Sequence, residues 1–320
     1  MSFAIYVGLT DKGRRRTNNE DSILISEINL NLLKRKDLFS DENVSIDSSF
    51  IIATVADGVG GLEKGEIASD LAVKTFNNLV LTEIATDIMF SNSFTDILWD
   101  DKILKILMKC LKRTNEAVLS KASGGGTTLT SALIFSNLTS YIVSVGDSRC
   151  YVIWPGEKIY QITYDQSIAW KDYEQLVLPK MNSELVHILS KSLKENYISE
   201  WYKRLCLEKF NFLKRHSQSH VIWNVIGYYG EISPPSIHKL YLDKDSILLL
   251  CSDGLTDEID DVRIYEIISD HLKNMNHERD SDVKKALESA ASSLIMQAKE
   301  SGGRDNISVI LIMPFISSRI

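Results

Sequence analysis

Proline is scarce, five residues in 320, and no Pro/Gly/Ser-rich stretch interrupts the chain where a linker between domains would lie. Internal repeats and low-complexity tracts are missing as well, so one domain over 1–320 is the simplest organisation. Apolar runs never reach the roughly 18 residues that a membrane span needs, and Met1–Leu9 lacks the charged-then-apolar layout of a signal peptide. A cytoplasmic protein with no membrane partner is expected. The four cysteines, Cys110, Cys150, Cys206 and Cys251, are scattered, with no CxxC pair and no spacing of a zinc knuckle, and read as reduced, buried thiols. Positive charge is not in excess either. Lys plus Arg total 36 against 43 for Asp plus Glu, a net charge of −7, which argues against nucleic acid as a partner.

What is present is a set of short runs with β character: Phe3–Leu9, Ile23–Ile28, Phe50–Ala56, Leu129–Phe135, Tyr141–Val145, Tyr151–Trp154, Ile237–Leu242, Ile247–Cys251 and Ile307–Met313. Helical periodicity marks Ile67–Ile84, through Ala68, Leu71, Ala72, Thr75 and Leu79, and Ile97–Leu119, through Leu104, Leu107, Leu111 and Val118. A further pair lies at Val262–Leu272 and Val283–Ala298. Strands grouped in hairpins and helices grouped in pairs, without regular βαβ alternation, predict an α+β fold: a four-layer α/β/β/α sandwich of two antiparallel sheets flanked by helices. Two segments read as additions. Leu30–Ser49 is polar and charged and is expected to be a long hairpin loop. Residues 172–219 are helical in pattern, through Leu185, Val186, Ile188, Leu189 and Leu193 and then Ile198, Trp201, Tyr202 and Leu205, and are expected to form a small helical subdomain.

Carboxylates recur at the boundaries of the apolar runs. Asp57-Gly58 follows Ile51–Ala56, Asp253-Gly254 follows Ile247–Ser252, Asp147 follows Tyr141–Gly146, and Asp305 precedes Ile307–Met313. Any single Asp-Gly pair is equally ordinary turn chemistry, but four carboxylates at strand boundaries are placed where one cleft could collect them. Hard oxygen donors of this kind suit Mg²⁺ or Mn²⁺, and a glycine after the aspartate lets a backbone carbonyl or a ligand come close.

Six ordered blocks carry a resemblance. They are DKGRRRTNNEDS (Asp11–Ser22), ADGVGGLEKGEIAS (Ala56–Ser69), GGTTLTSALI (Gly125–Ile134), VGDSRCY (Val145–Tyr151), LLLCSDGLTDEIDD (Leu248–Asp261) and GGRDNISVIL (Gly302–Leu311). In this order they resemble the type 2C metal-dependent protein phosphatases, a bacterial-like member with a helical insertion where the family has a short flap. The resemblance implies a β-sandwich flanked by helices, with two Mg²⁺ or Mn²⁺ ions in a cleft at one end. Position by position, Asp57 matches the carboxylate that bridges the two cations and Gly58 the backbone-carbonyl ligand of one. Asp253 and Asp305 match the ligands of the other, and Glu20 and Asp21 the acidic pair that supports both. Arg16 matches the arginine that grips substrate phosphate, a role its planar fork suits, while Arg14 and Arg15 read as solvated loop cations. Asp147 matches an aspartate that helps hold a third, weaker metal in bacterial relatives, although an aspartate in a GDSR turn can also simply cap the loop. Asp165, in QITYDQS (Gln161–Ser167), matches an acidic turn leading into the flap, and the family pattern returns at Asn224–Gly227.

The implied activity is a serine/threonine protein phosphatase acting on phosphoserine and phosphothreonine proteins, in which a hydroxide bridging two cations attacks the phosphomonoester. One departure concerns the acid for the leaving oxygen, because all six histidines fall outside the matched blocks and Asn18 and Asn19 precede Glu20. A catalytically silent binding module on the same fold, or a hydrolase of a small phosphorylated metabolite, are the other readings. A nucleotide kinase is disfavoured by the lack of any G-x-x-x-x-G-K-[ST] run. Within 172–219, Lys203, Arg204, Lys209, Lys214 and Arg215 surround Trp201, Tyr202, Phe210 and Phe212. They read either as a solvated helix face or as a docking patch for the substrate phosphoprotein. A monomer is expected.

Overall fold

Strands whose residues are apolar on both faces need a layer on each side, and that requirement explains the architecture. In the computed structural model, which describes residues 3–28, 35–36, 43–44, 49–59, 64–90, 96–177, 200–227, 232–273 and 279–314, two antiparallel sheets lie back to back. One has the order β1 (Ala4–Asp11), β13 (Ile307–Pro314), β12 (Ile247–Cys251), β9 (Arg149–Trp154) and β10 (Lys158–Gln161). The other has the order β11 (Ser236–Tyr241), β8 (Thr139–Val145), β7 (Leu129–Phe135), β5 (Phe50–Val59) and β2 (Asp21–Ile28), with the short β6 (Gly126–Thr127) paired to the end of β5. Within Leu30–Ser49 the antiparallel pair β3 (Arg35–Lys36) and β4 (Asn43–Val44) is described, along with Ser49 itself.

The period of two sorts each strand between neighbouring layers. Ile51, Ala53 and Val55 of β5, Leu248 and Leu250 of β12, and Ile310 and Ile312 of β13 meet between the sheets. Their alternates face outward: Phe50 and Ile52 lie under α1 (Lys64–Phe90) and α2 (Asp96–Lys121). Leu249, Cys251, Val309 and Leu311 lie under α6 (Asp261–Leu272) and α7 (Asp280–Ser301). Three apolar interlayers thus hold four layers, the expected sandwich, with each fully buried Leu or Ile contributing roughly 1.5–3 kcal/mol. All four cysteines are free and buried.

Helix α1 shows why a stripe read from sequence can be one residue off. Its fully buried line runs Ala68, Ala72, Phe76, Val80 and Ile84, at i, i+4 spacing, whereas Leu71, Thr75 and Leu79 are half-buried on its flank. Small residues at the N-terminal end let α1 approach β5 closely. Helix α6 is capped by Asp260, whose carboxylate accepts from the backbone N–H groups of Val262 and Arg263.

Of 172–219, residues 178–199 lie outside the described residues, and with them Leu185 to Leu193 and Ile198. The described part comprises the end of α3 (Ile168–Leu176), α4 (Glu200–Arg215) and the turn that follows at 216–219. Helix α4 lies against the body of the sandwich: Tyr202 Oη donates to Ile159 O at 2.7 Å. No helix among the described residues is long and apolar enough to cross a membrane.

Candidate active site

One end of the sandwich opens into a cleft of about 560 Å³. Of the residues singled out in the sequence, Arg16, Glu20, Asp57, Gly58, Asp147, Asp253 and Asp305 line it, and Asp21 lies buried behind them. The local structure differs in two places from carboxylates simply following strands. Asp57 is inside β5, paired in register with Asp21 of β2, and Asp253 opens a one-turn helix, α5 (Asp253–Thr256). Both shifts fix the carboxylates more firmly than a loop would.

The segments that carry the carboxylates are tied to one another. Asp57 N donates to Thr128 Oγ1 at 2.9 Å, and Thr128 Oγ1 meets Ser148 Oγ at 2.7 Å, while Thr127 Oγ1 donates to Asp57 O at 2.9 Å. The two threonines of GGTTL thereby tie β5 to the turn that carries Asp147. Ser252 Oγ donates to Asp21 Oδ2 at 2.7 Å. Asn306 clamps the front loop: its Nδ2 donates to Lys12 O (3.0 Å) and Asn18 O (2.8 Å), and its Oδ1 accepts from Glu20 N at 2.8 Å. Two glycines are needed for close approach. Gly13 has φ +75° and a Cβ there would sit 2.0 Å from Asp305 O, and a Cβ on Gly58 would sit 2.3 Å from Gly65 O.

The electrostatics are those of crowded acids. Burial, followed by the neighbouring carboxylates, pushes Asp57 well above the usual range, with Asp21 and Asp253 the main neighbours. Asp21 and Asp253 are raised for the same reason. Asp147 is raised by burial and by Asp253, Asp165 and Asp257. Asp21 Oδ1 and Asp253 Oδ1 are buried without a hydrogen-bond partner, an expensive arrangement for a carboxylate oxygen. Divalent cations fit this donor set: they supply the opposite charge and the missing partners, and a centre of carboxylate oxygens with an adjacent backbone carbonyl at Gly58 suits Mg²⁺ or Mn²⁺. Arg16 Nη2 reaches Asp305 Oδ2 at 2.6 Å on the rim of the cleft.

The cleft also contains residues the sequence did not single out. Asp257, one helical turn after Asp253, and His220, whose Nδ1 is 3.7 Å from Asp257 Oδ2, form with Asp253 a group whose donor atoms lie within 4.8 Å of one another. Asp257 was findable from its i+4 spacing to Asp253, whereas His220 belongs to no motif. Arg15, exposed on the front loop, also lines the cleft, while the stem of Arg14 packs beside Gly303. Arg304 Nε donates to Glu258 Oε1 at 2.8 Å along the same wall.

Back-to-back antiparallel sheets with carboxylates gathered in a cleft at one end mark a divalent-cation-binding protein. A family model described as protein phosphatase 2C matches residues 33–290, and the chain belongs to that family of Mg²⁺- or Mn²⁺-dependent phosphatases. It is 26% identical over 309 residues to the serine/threonine phosphatase stp of Listeria innocua, covering 95% of this chain and 93% of that one. To the protein phosphatase PhpP of Streptococcus pneumoniae it is 27% identical over 304 residues, covering 95% of each. Its fold is similar to the serine/threonine phosphatase PstP of Mycobacterium tuberculosis, with a TM-score of 0.61 at 22% identity, over 98% of this chain and 99% of that one. A structure of the PstP catalytic domain with two manganese ions is also similar, with a TM-score of 0.59 at 22% identity, over 98% of each chain.

Proposed function

We propose that this chain removes phosphate from phosphoserine and phosphothreonine in proteins, with Asp57, Gly58, Asp253 and Asp305 holding two Mg²⁺ or Mn²⁺ ions and Glu20 and Asp21 supporting them. The observation that carries this is the convergence of partly buried, mutually repelling carboxylates, two with a buried, unpartnered oxygen, beside a guanidinium at the mouth of one cleft. When bound, the cations supply a water ionised near neutral pH and positive charge for the phosphate oxygens. The remaining work falls to the chain. Arg16 presents two donors to the phosphate, and Asp305 orients it from behind. Thr127, Thr128 and Asn306 hold Asp57 and the front loop in place, so little reorganisation accompanies turnover. Asp147 is assigned the third, weaker cation.

The same reading treats 1–320 as a single cytoplasmic phosphatase domain, monomeric, with 172–219 as its helical insertion and a docking surface for the phosphoprotein. In the described part, Lys209 and Lys214 turn to Asp261 and Glu258, because those buried carboxylates need a counter-charge. Arg204 and Arg215 are exposed on α4, as is Lys214 despite its ion pair. The test is phosphate release from phosphoserine and phosphothreonine peptides and from small phosphorylated metabolites, with Mn²⁺ and with chelator. Mn²⁺-dependent release from the peptides is expected. Peptides left intact while a metabolite is hydrolysed, or full turnover in excess chelator, would overturn the assignment.

A further inference from the structure

Beyond the cleft wall, six side chains close a ring. Arg149 Nε donates to both oxygens of Asp165, at 2.9 and 3.0 Å, and Arg149 Nη2 to Asp165 Oδ2 at 2.6 Å. Arg149 Nη1 meets Tyr151 Oη at 3.1 Å, and Tyr151 Oη donates to Asp261 Oδ1 at 3.0 Å. Lys209 Nζ donates to Asp261 Oδ2 and, at 3.0 Å, to Gln161 Oε1. Gln161 Nε2 returns to Asp165 Oδ1 at 3.0 Å. Two cations balance two carboxylates, and the Trp170 ring lies 5.9 Å from the Arg149 guanidinium and 5.7 Å from Lys209 Nζ.

Buried ion pairs of this kind give little net stability compared with apolar packing, so the ring's value lies in what it fixes. Asp165 is followed by Gln166, whose N donates to Gly146 O at 2.9 Å and whose Oε1 accepts from Gly146 N at 3.0 Å. The ring therefore acts on the peptide directly before Asp147. Five of its members come from the sheet, the turn after it and α6; Lys209 alone comes from α4. The side chain of Lys209 is only 12% exposed and that of Asp261 6%, too buried for a surface contact of convenience.

We propose that Lys209 is a positioning residue: through the ring, helix α4 braces the Gly146–Ser148 turn and sets where Asp147 stands in the cleft. This rests on the phosphatase reading of that cleft. The 172–219 segment is then tied mechanically to the catalytic end, apart from any docking role.

Lys209→Met leaves Asp261 buried without its cation, so the double variant Lys209→Met/Asp261→Asn is measured beside it, with Lys209→Arg as the conservative variant. Mn²⁺ binding is followed by calorimetry on protein alone, and kcat and KM are measured for a small aryl phosphate. The folded double variant is expected to bind its weakest Mn²⁺ about 10-fold or more weakly, the scale of lost outer-shell support, with a lower kcat and an unchanged KM. Lys209→Arg should restore both, and Asp147→Asn should give the same loss without adding to it. A folded double variant with the wild-type isotherm and kcat would overturn the brace, as would losses that add to those of Asp147→Asn. Should both Lys209→Met proteins fail to fold, Lys209→Gln decides by the same two readouts. Wild-type protein that binds no Mn²⁺ would overturn the cleft reading, and the brace with it.

Discussion

Arg16 and Asp305, 289 residues apart in the chain, are joined by a 2.6 Å ion pair at the mouth of the cleft. The guanidinium proposed to grip phosphate is therefore held by a carboxylate proposed to hold a cation. The link depends on Asn306, which draws the front loop onto the start of β13 through Lys12, Asn18 and Glu20. Substrate grip and cation site are in this way set by one junction.

Replacing Arg16 by Ala removes a charge-assisted contact worth about 1.5–3 kcal/mol, so kcat/KM for phosphopeptides should fall roughly 10- to 100-fold, mainly through KM. Arg14→Ala should change it by no more than about twofold, the scale of an ordinary surface substitution. Steady-state kinetics on both variants decide the matter, and a greater sensitivity at Arg14 would mean that the front block is misaligned.

Asp57→Asn or Asp253→Asn should abolish turnover, because a neutral amide is a poor ligand for a divalent cation. The structure adds a second expectation. With chelator present, these carboxylates face one another in a buried site, so neutralising either should raise the melting temperature of the metal-free protein while removing the gain that Mn²⁺ confers. Melting curves with and without Mn²⁺ test this; a substitution that lowers the metal-free melting temperature would mean the acids are not mutually destabilising.

Much of this site was legible because the blocks carrying Asp57, Asp253 and Asp305 pair each acid with a glycine or asparagine beside an unmistakably apolar run. The run Phe50–Ala56 was readable as a strand from its nearly unbroken apolar character, but which of its residues face the other sheet was not, because both faces are apolar. The face of α1 was only partly readable: Leu71 and Leu79 look more apolar than Ala68 and Ala72, yet closeness to β5 favours the smaller residues. Lys209 was read among surface cations because its partner Asp261 is 52 positions away, and nothing local betrays that pairing. His220 reaches the cleft through tertiary folding alone.

The pH dependence of cation binding follows from the raised carboxylates. Burial pushes Asp21 and Asp253 up to about 6 in the folded chain, above the value near 4 of an unfolded aspartate. Between those values the folded state binds more protons than the unfolded state, so this part of the metal-free stability declines as pH rises through the window and is at its lowest above it. Cations bind the deprotonated groups. The rise in melting temperature on adding Mn²⁺ should therefore be larger at pH 7.5 than at pH 5.5, which parallel melts would show; equal gains at both would count against carboxylates raised in this way.

Helix α4 offers a test of docking that is separable from chemistry. Among the described residues Arg204 pairs with its exposed neighbour Glu208, at 3.0 Å and i, i+4 spacing, an interaction worth about 0.3–0.5 kcal/mol, so its charge stays largely open to solvent; Arg215 is likewise exposed. In a chain of net charge −7, two such cations on α4 would favour an acidic phosphoprotein through long-range attraction, which salt screens over about 8–10 Å. Reversing both, Arg204→Glu with Arg215→Glu, should leave hydrolysis of a small aryl phosphate unchanged, because binding energy remote from the reacting phosphate is not available to a substrate that lacks the remote part. Against an acidic phosphoprotein, kcat/KM should fall about 3- to 10-fold at low ionic strength, chiefly through slower association, and the difference should shrink as salt is added. Equal rates for variant and wild type on that phosphoprotein across the salt series would remove α4 as a docking surface, while a loss on the aryl phosphate as well would place the effect in the cleft.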